Sequence, residues 1–439
     1  MTSGKIIVNV VAPIRLPSWV PAAGEVNVLT NSSGLLTNRF TDVCTPWMHP
    51  FYMNKIVNAY SGGVLNQHFG QYGMPIFYGG GHADTNDNTC VGLVLGENTC
   101  SFRRLVNGSP IFGTGTDPTT RGSNSVGNVS GKYDPDYYEY LVDGKPMSSH
   151  TWGALVVLGP TEGGASHGSL LQPILGACGA IGVSGDITLH QLDFGSAEGF
   201  ADGSAPTYNW IRRSNNRAGY RAGAQIMGGP YWATHVPAQN RVYIESRSGG
   251  SANPGGPRWW DLADSTFHTG VGAQRRNTDD SWNGQADGCI MFTVPERDLV
   301  VHIGQFGGNA RIQYMDVSVS QPGWVTAALD TVLPVERYWS SACWCQDNGK
   351  ILFGGRAGDN AAMYEITIPA DPSSRWAVDR APFGDGQSMY FPPAGSGAAG
   401  TGYKSFSYNP RIKAIVYMPY AQGPTGGDEK VWVYRPRNT

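Results

Sequence analysis

The stretch PIFYGGGHADTNDNTCVGLVLG at residues 75–96 decides how this chain is read. The apolar run PIFY meets three glycines, a small polar loop follows, and a second apolar run, CVGLVLG, closes the segment. Gly, Asn and Asp interrupt extended segments, and both flanking runs are short and rich in β-branched or aromatic residues; this is the pattern of two strands joined by a turn. The same order returns at 350–368 in KILFGGRAGDNAAMYEITI. Looser copies stand at 241–262 (RVYIESRSGGSANPGGPRWWDL), 299–317 (LVVHIGQFGGNARIQYMDV), 154–170 (ALVVLGPTEGGASHGSL) and 414–435 (AIVYMPYAQGPTGGDEKVWVYR). A further strand ending at a turn precedes most copies: YWATHVPAQN, GCIMFTVPERD, SSACWCQDNG and KSFSYNPRI. Trp-bearing strands follow several, at 209–214, 322–329 and 374–382.

Four strands per unit, in units of roughly 50–80 residues, predict the blades of a β-propeller. A β-sandwich with fortuitous repeats would not place a Gly-rich turn at one point of each unit. Six units are clear, and residues 1–60 hold more strand-like pieces (KIIVNVV, EVNVLT, NKIVNAY). These supply either a closing strand for the last blade or a blade of their own. The expectation is an all-β propeller of six or seven four-stranded blades, seven being favoured, in one domain over 1–439. N- and C-terminal strands pair in one sheet to remove its open edges, and 106–148 is an inserted loop.

Composition narrows the function. The chain has 60 glycines in 439 residues, about twice average usage, without the three-residue period of collagen. Aromatics at 11% and hydrophobics at 40% exclude a disordered chain. A net charge of −3 argues against nucleic acid as partner. No apolar run is long enough for a membrane-spanning helix. The N-terminal MTSGKIIVNVVAPIRLP lacks a secretory pattern, so the expected location is inside the cell, in a phage virion, or outside by another route. Of seven cysteines, Cys90 and Cys100 flank a hairpin across which they can pair, while Cys343 and Cys345, at strand period, read as buried thiols. No CxxC or zinc-ligand spacing occurs.

In a propeller, the segment leading into each blade and the connection between its second and third strands share one face. This rule places His82 and Asp84 there from the first Gly-rich loop, and His150 from the lead-in MSSHTWG. The loop GPTEGGASHG adds Glu162 and His167, and the lead-in NRAGYRAG adds Arg217, Tyr220 and Arg221. Arg247, Arg337, Tyr338, Arg356 and Asp359 come from later units, whereas His235 and Glu296 fall in the opposite turns. A glycosidase needs two carboxylates about 5–10 Å apart, and only Asp84 and Glu162 offer such a pair. No Cys falls in these loops, which argues against a copper site with a Tyr–Cys cross-link.

A set rich in His, Tyr and Arg suits β-elimination on a uronic acid polymer. Arg or protonated His neutralises the carboxylate as the enolate forms. His or Tyr takes the C5 proton and protonates the leaving oxygen. No metal is required, although a structural or site Ca, Zn or Mn ion stays compatible. Structural roles compete at each position: His82 bonding its own turn, His150 buried beside Trp152, Tyr220 packing at a blade junction, Arg217 and Arg221 pairing with Asp279 and Asp280.

PIFYGGGHAD and FGGRAGDNAAMYEI resemble the kelch or galactose-oxidase-like propeller superfamily. Together with SHTWG and NRAGYRAG they are similar to propeller-fold polysaccharide lyases, the ulvan lyases especially. That resemblance implies His82 and His150 as the catalytic His pair, Tyr220 as the proton-transfer group and Arg221, or Arg217, as the carboxylate neutraliser. Thr85 stands where that family carries a Tyr. Asp84, His167, Arg217, Arg247, Arg337, Tyr338 and Arg356 are then expected to bind an acidic polysaccharide. The alternatives are a non-catalytic carbohydrate- or receptor-binding propeller, such as a phage virion component, and a glycoside hydrolase.

Overall fold

The structure, a computed structural model, describes residues 15–43, 62–78, 89–108, 144–146, 151, 153–177, 184–202, 208–215, 231–246, 257–269, 290–306, 309–333, 341–357, 360–381, 383–384, 387, 389, 406–418 and 429–439. Strand β1 (Val26–Leu29) and the single turn of helix α1 (Phe40–Val43) precede the first sheet. Blade 1 is β2 (Gly62–Asn66), β3 (Met74–Tyr78), β4 (Cys90–Leu95) and β5 (Cys100–Val106). Blade 2 is β6 (Val156–Leu158), β7 (Ser169–Ala177), β8 (Ser184–Asp193) and β9 (Trp210–Asn215). Blade 3 is β10 (Tyr231–Val236), β11 (Arg241–Ser246), β12 (Arg258–Asp261) and β13 (Thr266–Thr269). Blade 4 is β14 (Ile290–Val294), β15 (Leu299–Phe306), β16 (Asn309–Asp316) and β17 (Trp324–Thr326). Blade 5 is β18 (Ser341–Cys345), β19 (Lys350–Ala357), β20 (Asn360–Thr367) and β21 (Ala377–Arg380). Blade 6 takes β22 (Phe406–Asn409), β23 (Ala414–Tyr417) and β24 (Val431–Tyr434) from the C-terminal end and β1 from the N-terminal end.

All six sheets are antiparallel, and the first strands of successive blades pack side by side around an axis, β22 returning to β2. The ring is closed by β1, whose Val26 and Leu29 pair with Tyr434 and Val431 of β24. Residues 15–43 thus provide the closing strand and no further blade, so the propeller has six blades and the lean toward seven is corrected. The strand-like pieces KIIVNVV and NKIVNAY lie outside the described residues.

The apolar runs are continuous because each blade is covered on both faces. Successive side chains of a strand point to opposite sides. Along β15, Leu299, Val301 and Ile303 join the core shared with blade 5, while Val300 joins the core shared with blade 3. On β11, Val242 and Ile244 face blade 2, and Tyr243 faces blade 4. A strand half-exposed to water would alternate instead.

At the lower end of the ring, where first and second strands connect, each blade reaches to the next. Asn66 Nδ2 donates to His167 O at 2.9 Å, joining blade 1 to blade 2. Glu162 meets His235 Nδ1 at 3.4 Å, joining 2 to 3. Gln239 Nε2 donates to Val317 O, joining 3 to 4. Arg297 donates to the carbonyls of Ile368, Pro369 and Ala370, joining 4 to 5. Tyr408 OH donates to Asp347, joining 5 to 6. Asn409 Nδ2 donates to Tyr72 O at 2.7 Å and Arg411 to Gly70 O and Gln71 O, joining 6 to 1.

Two expectations change. The Gly-rich loop of blade 2, GPTEGGASHG, connects first to second strand, β6 to β7, not second to third. It therefore lies at the lower end and carries Glu162 and His167 there; the true second-to-third connection is 178–183. Cys90 and Cys100 are both free and buried. Hairpin register sets Cys90 opposite Val106 and Cys100 opposite Leu95. Five residues of strand separate these positions, roughly 17 Å, beyond the reach of a disulfide. Cys343 and Cys345 are buried free thiols, as read.

Leu29 is fully buried in the cluster holding Val431 and Val433. Leu29→Ala should cost about 2–5 kcal/mol in denaturant unfolding, whereas Val325→Ala, at a half-exposed site on β17, should change little. His190 is wholly buried on β8, and burial, with Arg212 adding to it, lowers its pKa to about 3. The unfolded chain binds this proton near pH 6.5, so the native state loses stability as pH falls from about 6.5 toward 3. His190→Gln should flatten thermal stability between pH 7 and 4, by on the order of 3 kcal/mol at the acid end.

Candidate functional site

First strands begin, and second strands end, at the upper end of the ring. The strand ends that bracket the predicted site segments all belong there. β3 ends and β4 begins around 79–88, which carries His82 and Asp84. β6 follows the His150 lead-in, and β9 and β10 bracket 216–230 with Arg217, Tyr220 and Arg221. Arg247 falls between β11 and β12, and Arg337 and Tyr338 between β17 and β18. These nine residues lie outside the described ones, as does Asp359. Arg356 belongs to the upper part of β19, where its backbone pairs with Ala361; its side chain is also outside the described set.

His167 does not join them. The structure places it at the lower end, half-buried, with its ring 6.0 Å from Phe69 and its carbonyl taken by Asn66. The Gly loop of blade 2 resembled its counterparts in sequence, but it follows a first strand of only three residues and so sits one connection earlier. Glu162 goes with it, to the end of the ring opposite the strand ends that bracket the Asp84 segment. Glu296 occupies a lower turn, as expected, and His235 stands at the lower end of strand β10 rather than in the turn that follows it.

A junction at the upper end joins the two His-bearing segments. Thr151, fully buried, accepts the Gly62 N–H at 2.6 Å and donates to the Tyr78 carbonyl at 2.7 Å through the same hydroxyl. Tyr78 ends the strand that leads into the GGGHAD loop, and its own hydroxyl donates to Pro146 O at 3.3 Å. Two residues on, Gly153 bridges Trp232 of blade 3; a Cβ there would lie 2.6 Å from the indole, so only Gly fits. The inserted segment starting near 106 is tied at its ends, Lys145 Nζ donating to Asn107 O at 3.1 Å and Gly108 O at 3.4 Å. Thr151 carried no signal in the sequence: a lone Thr after His150 matches no motif.

Among the described residues, no three His, Cys, Asp or Glu side chains are placed to hold a metal ion, and no helix is long and apolar enough to cross a membrane.

No family model matches the chain, and no curated protein matches it in sequence. Solved structures match it at low identity and low TM-score. A GH43 glycoside hydrolase, engineered to display both endo-xylanase and exo-arabinofuranosidase activity, is 10% identical with a TM-score of 0.39, over 78% of this chain. The match spans 56% of that protein's length. An α-L-arabinofuranosidase from Fusarium graminearum is 8% identical with a TM-score of 0.43, over 86% of this chain and 98% of its own. An oligogalacturonate lyase in complex with manganese is 12% identical with a TM-score of 0.35, over 86% and 96%. At such scores the likenesses carry no weight for activity.

Thr151→Val keeps the side-chain shape but strands a buried N–H and a buried carbonyl. It should cost about 2–4 kcal/mol in denaturant unfolding, and Thr151→Ser, which keeps the hydroxyl, should recover most of that.

Proposed function

We propose that the protein cleaves an acidic polysaccharide by β-elimination beside a uronic acid, at the upper end of the ring. The observation that carries the reading is the Thr151 junction. Thr151 is the chain neighbour of His150, and it bonds the carbonyl of Tyr78, four residues before His82. The two histidine-bearing segments are thereby anchored to one point. The strand ends around Tyr220 and Arg221 belong to the same end of the ring.

The chemistry follows from the residue types. Arg221, or Arg217, meets the uronate carboxylate through a planar two-point contact and stabilises the charge that develops when C5 loses its proton. A His or Tyr of the set His82, His150 and Tyr220 takes that proton. The electron pair forms the C4–C5 double bond, the C4–O bond breaks, and a second member of the set protonates the departing oxygen. Asp84, Arg247, Arg337, Tyr338 and Arg356 would line the polymer's path. The removal of Glu162 to the lower end disfavours hydrolysis by an Asp84–Glu162 pair, since the two carboxylates must flank one bond.

Purified protein mixed with ulvan, alginate, pectin, glycosaminoglycans and bacterial capsules should give the ultraviolet absorbance of an unsaturated uronate on at least one of them. His150→Ala and Tyr220→Phe should lower that rate by about 10²–10⁴-fold with unchanged thermal unfolding. New reducing ends without the chromophore would identify a hydrolase instead. Tight glycan binding without product would identify a binding module, and silence across the panel would sink the lyase reading.

A further inference from the structure

The lower turn of blade 2 differs from its counterparts. Blades 3, 4, 5 and 6 close theirs in four residues, 237–240, 295–298, 346–349 and 410–413. Blade 2 spends 159–168 on it, after an inner strand of three residues that pairs with β7 only from Val156 to Leu158. The inner strands of blades 1, 3, 4 and 5 pair over five or six residues. Blade 2 is therefore the member least held by its own inner ladder. Its lower turn makes up the difference from both sides. One oxygen of Glu162 accepts the Gly159 N–H at 2.7 Å and faces His235 Nδ1 of blade 3 at 3.4 Å. On the other side, the His68 ring of blade 1 lies over Gly159, with its Cε1 2.6 Å from where a Cβ would stand.

We propose that the turn Gly159–Gly163 is an acid-released clamp: ionised Glu162 ties blade 2 to His235 while Gly159 seats the His68 ring, and discharging Glu162 frees the inner strand of blade 2. This does not depend on the proposed activity. Among the described residues, the charged or titratable groups acting here are His235 from blade 3, His68 from blade 1 and, on His68, Arg411 from blade 6. All are bases. The hydrogen bond with His235 chiefly holds Glu162 below the usual carboxylate range, against the opposing effect of burial. Burial holds His68 below the usual imidazole range, while Glu162 pulls it up. A carboxylate with a depressed pKa stabilises the fold above its ordinary value and loses that contribution as pH falls through the depressed one. Once Glu162 is neutral, its attraction for His235 and for His68 is lost.

Amide hydrogen exchange, expressed as protection factors, separates the blades. Glu162→Gln at pH 7 should lower protection of Val156–Leu158 by about five- to tenfold and leave β14–β16 of blade 4 unchanged. On going from pH 7 to 3, through and below the usual carboxylate range, blade 2 should lose more protection relative to blade 4 in the wild type than in Glu162→Gln. The acid response of His190 is present in both proteins, so their difference isolates the clamp. Wild-type protection of β6 in the variant, or an equal fall in every blade, would overturn the proposal. Should Glu162→Gln fail to fold, His235→Gln decides it: wild-type protection of Val156–Leu158 in that variant at pH 7 would overturn the proposal.

Discussion

A ring of sheets has to close, and that constraint orders everything else in this molecule. Each blade buries both faces against neighbours, so an unclosed ring would leave two apolar faces in water. The covalent chain cannot supply the last link; β1 does, lying along β24 so that the two ends of the chain share one sheet. The lower turns then supply a polar link at every junction, from Asn66 to Arg411. Two of these links reuse one device. Asn66 and Asn409 each end an inner strand, accept the backbone N–H two residues on, and donate to a carbonyl of the next blade. The side-chain oxygen shapes the turn while the nitrogen joins the blades.

The repeat was legible because its cause is local. A strand covered on both faces needs an uninterrupted apolar run, and the run must end where the chain turns. LVVHI and KILF therefore announced second strands from composition alone. Blade 2 misled for a physical reason: β6 is short and its lower turn is long and glycine-rich, so ALVVLGPTEGGASHGSL imitates a second-to-third connection. Blade number was open for a related reason. Strand propensity in residues 1–60 tells that strands form, not whether they stack as a sheet of their own or extend another, because pairing partners lie far away in sequence.

The candidate site is legible as chemistry and not as geometry. His, Tyr and Arg recur at one point of the repeat, and the repeat tells which end of the ring they belong to. What holds those segments together is carried by residues with no signature. Thr151 matters because two backbone groups from another blade arrive at its hydroxyl. Gly153 matters because Trp232 arrives at its Cα. Both are tertiary coincidences in the sense that no window of sequence contains them. Disulfide pairing failed similarly: Cys90 and Cys100 are close in sequence, yet hairpin register sends them to opposite ends.

The two ends of the ring are under different demands, and this bears on where function can sit. Lower turns must reach a neighbour, so their length and polar residues are tied to ring closure; a change there opens a seam. Upper connections differ widely in length. They run from the two residues 307–308 to the long stretch 107–155. Length can vary there without disturbing the seams, because loop closure costs rise only slowly with length. A rigid ring with one end fixed by its own assembly leaves the other end free to collect imidazoles, phenols and guanidinium groups. Blade 2 is the place where the two demands meet. Its inner strand is the shortest, its lead-in contains His150 in sequence, and its lower turn carries Glu162.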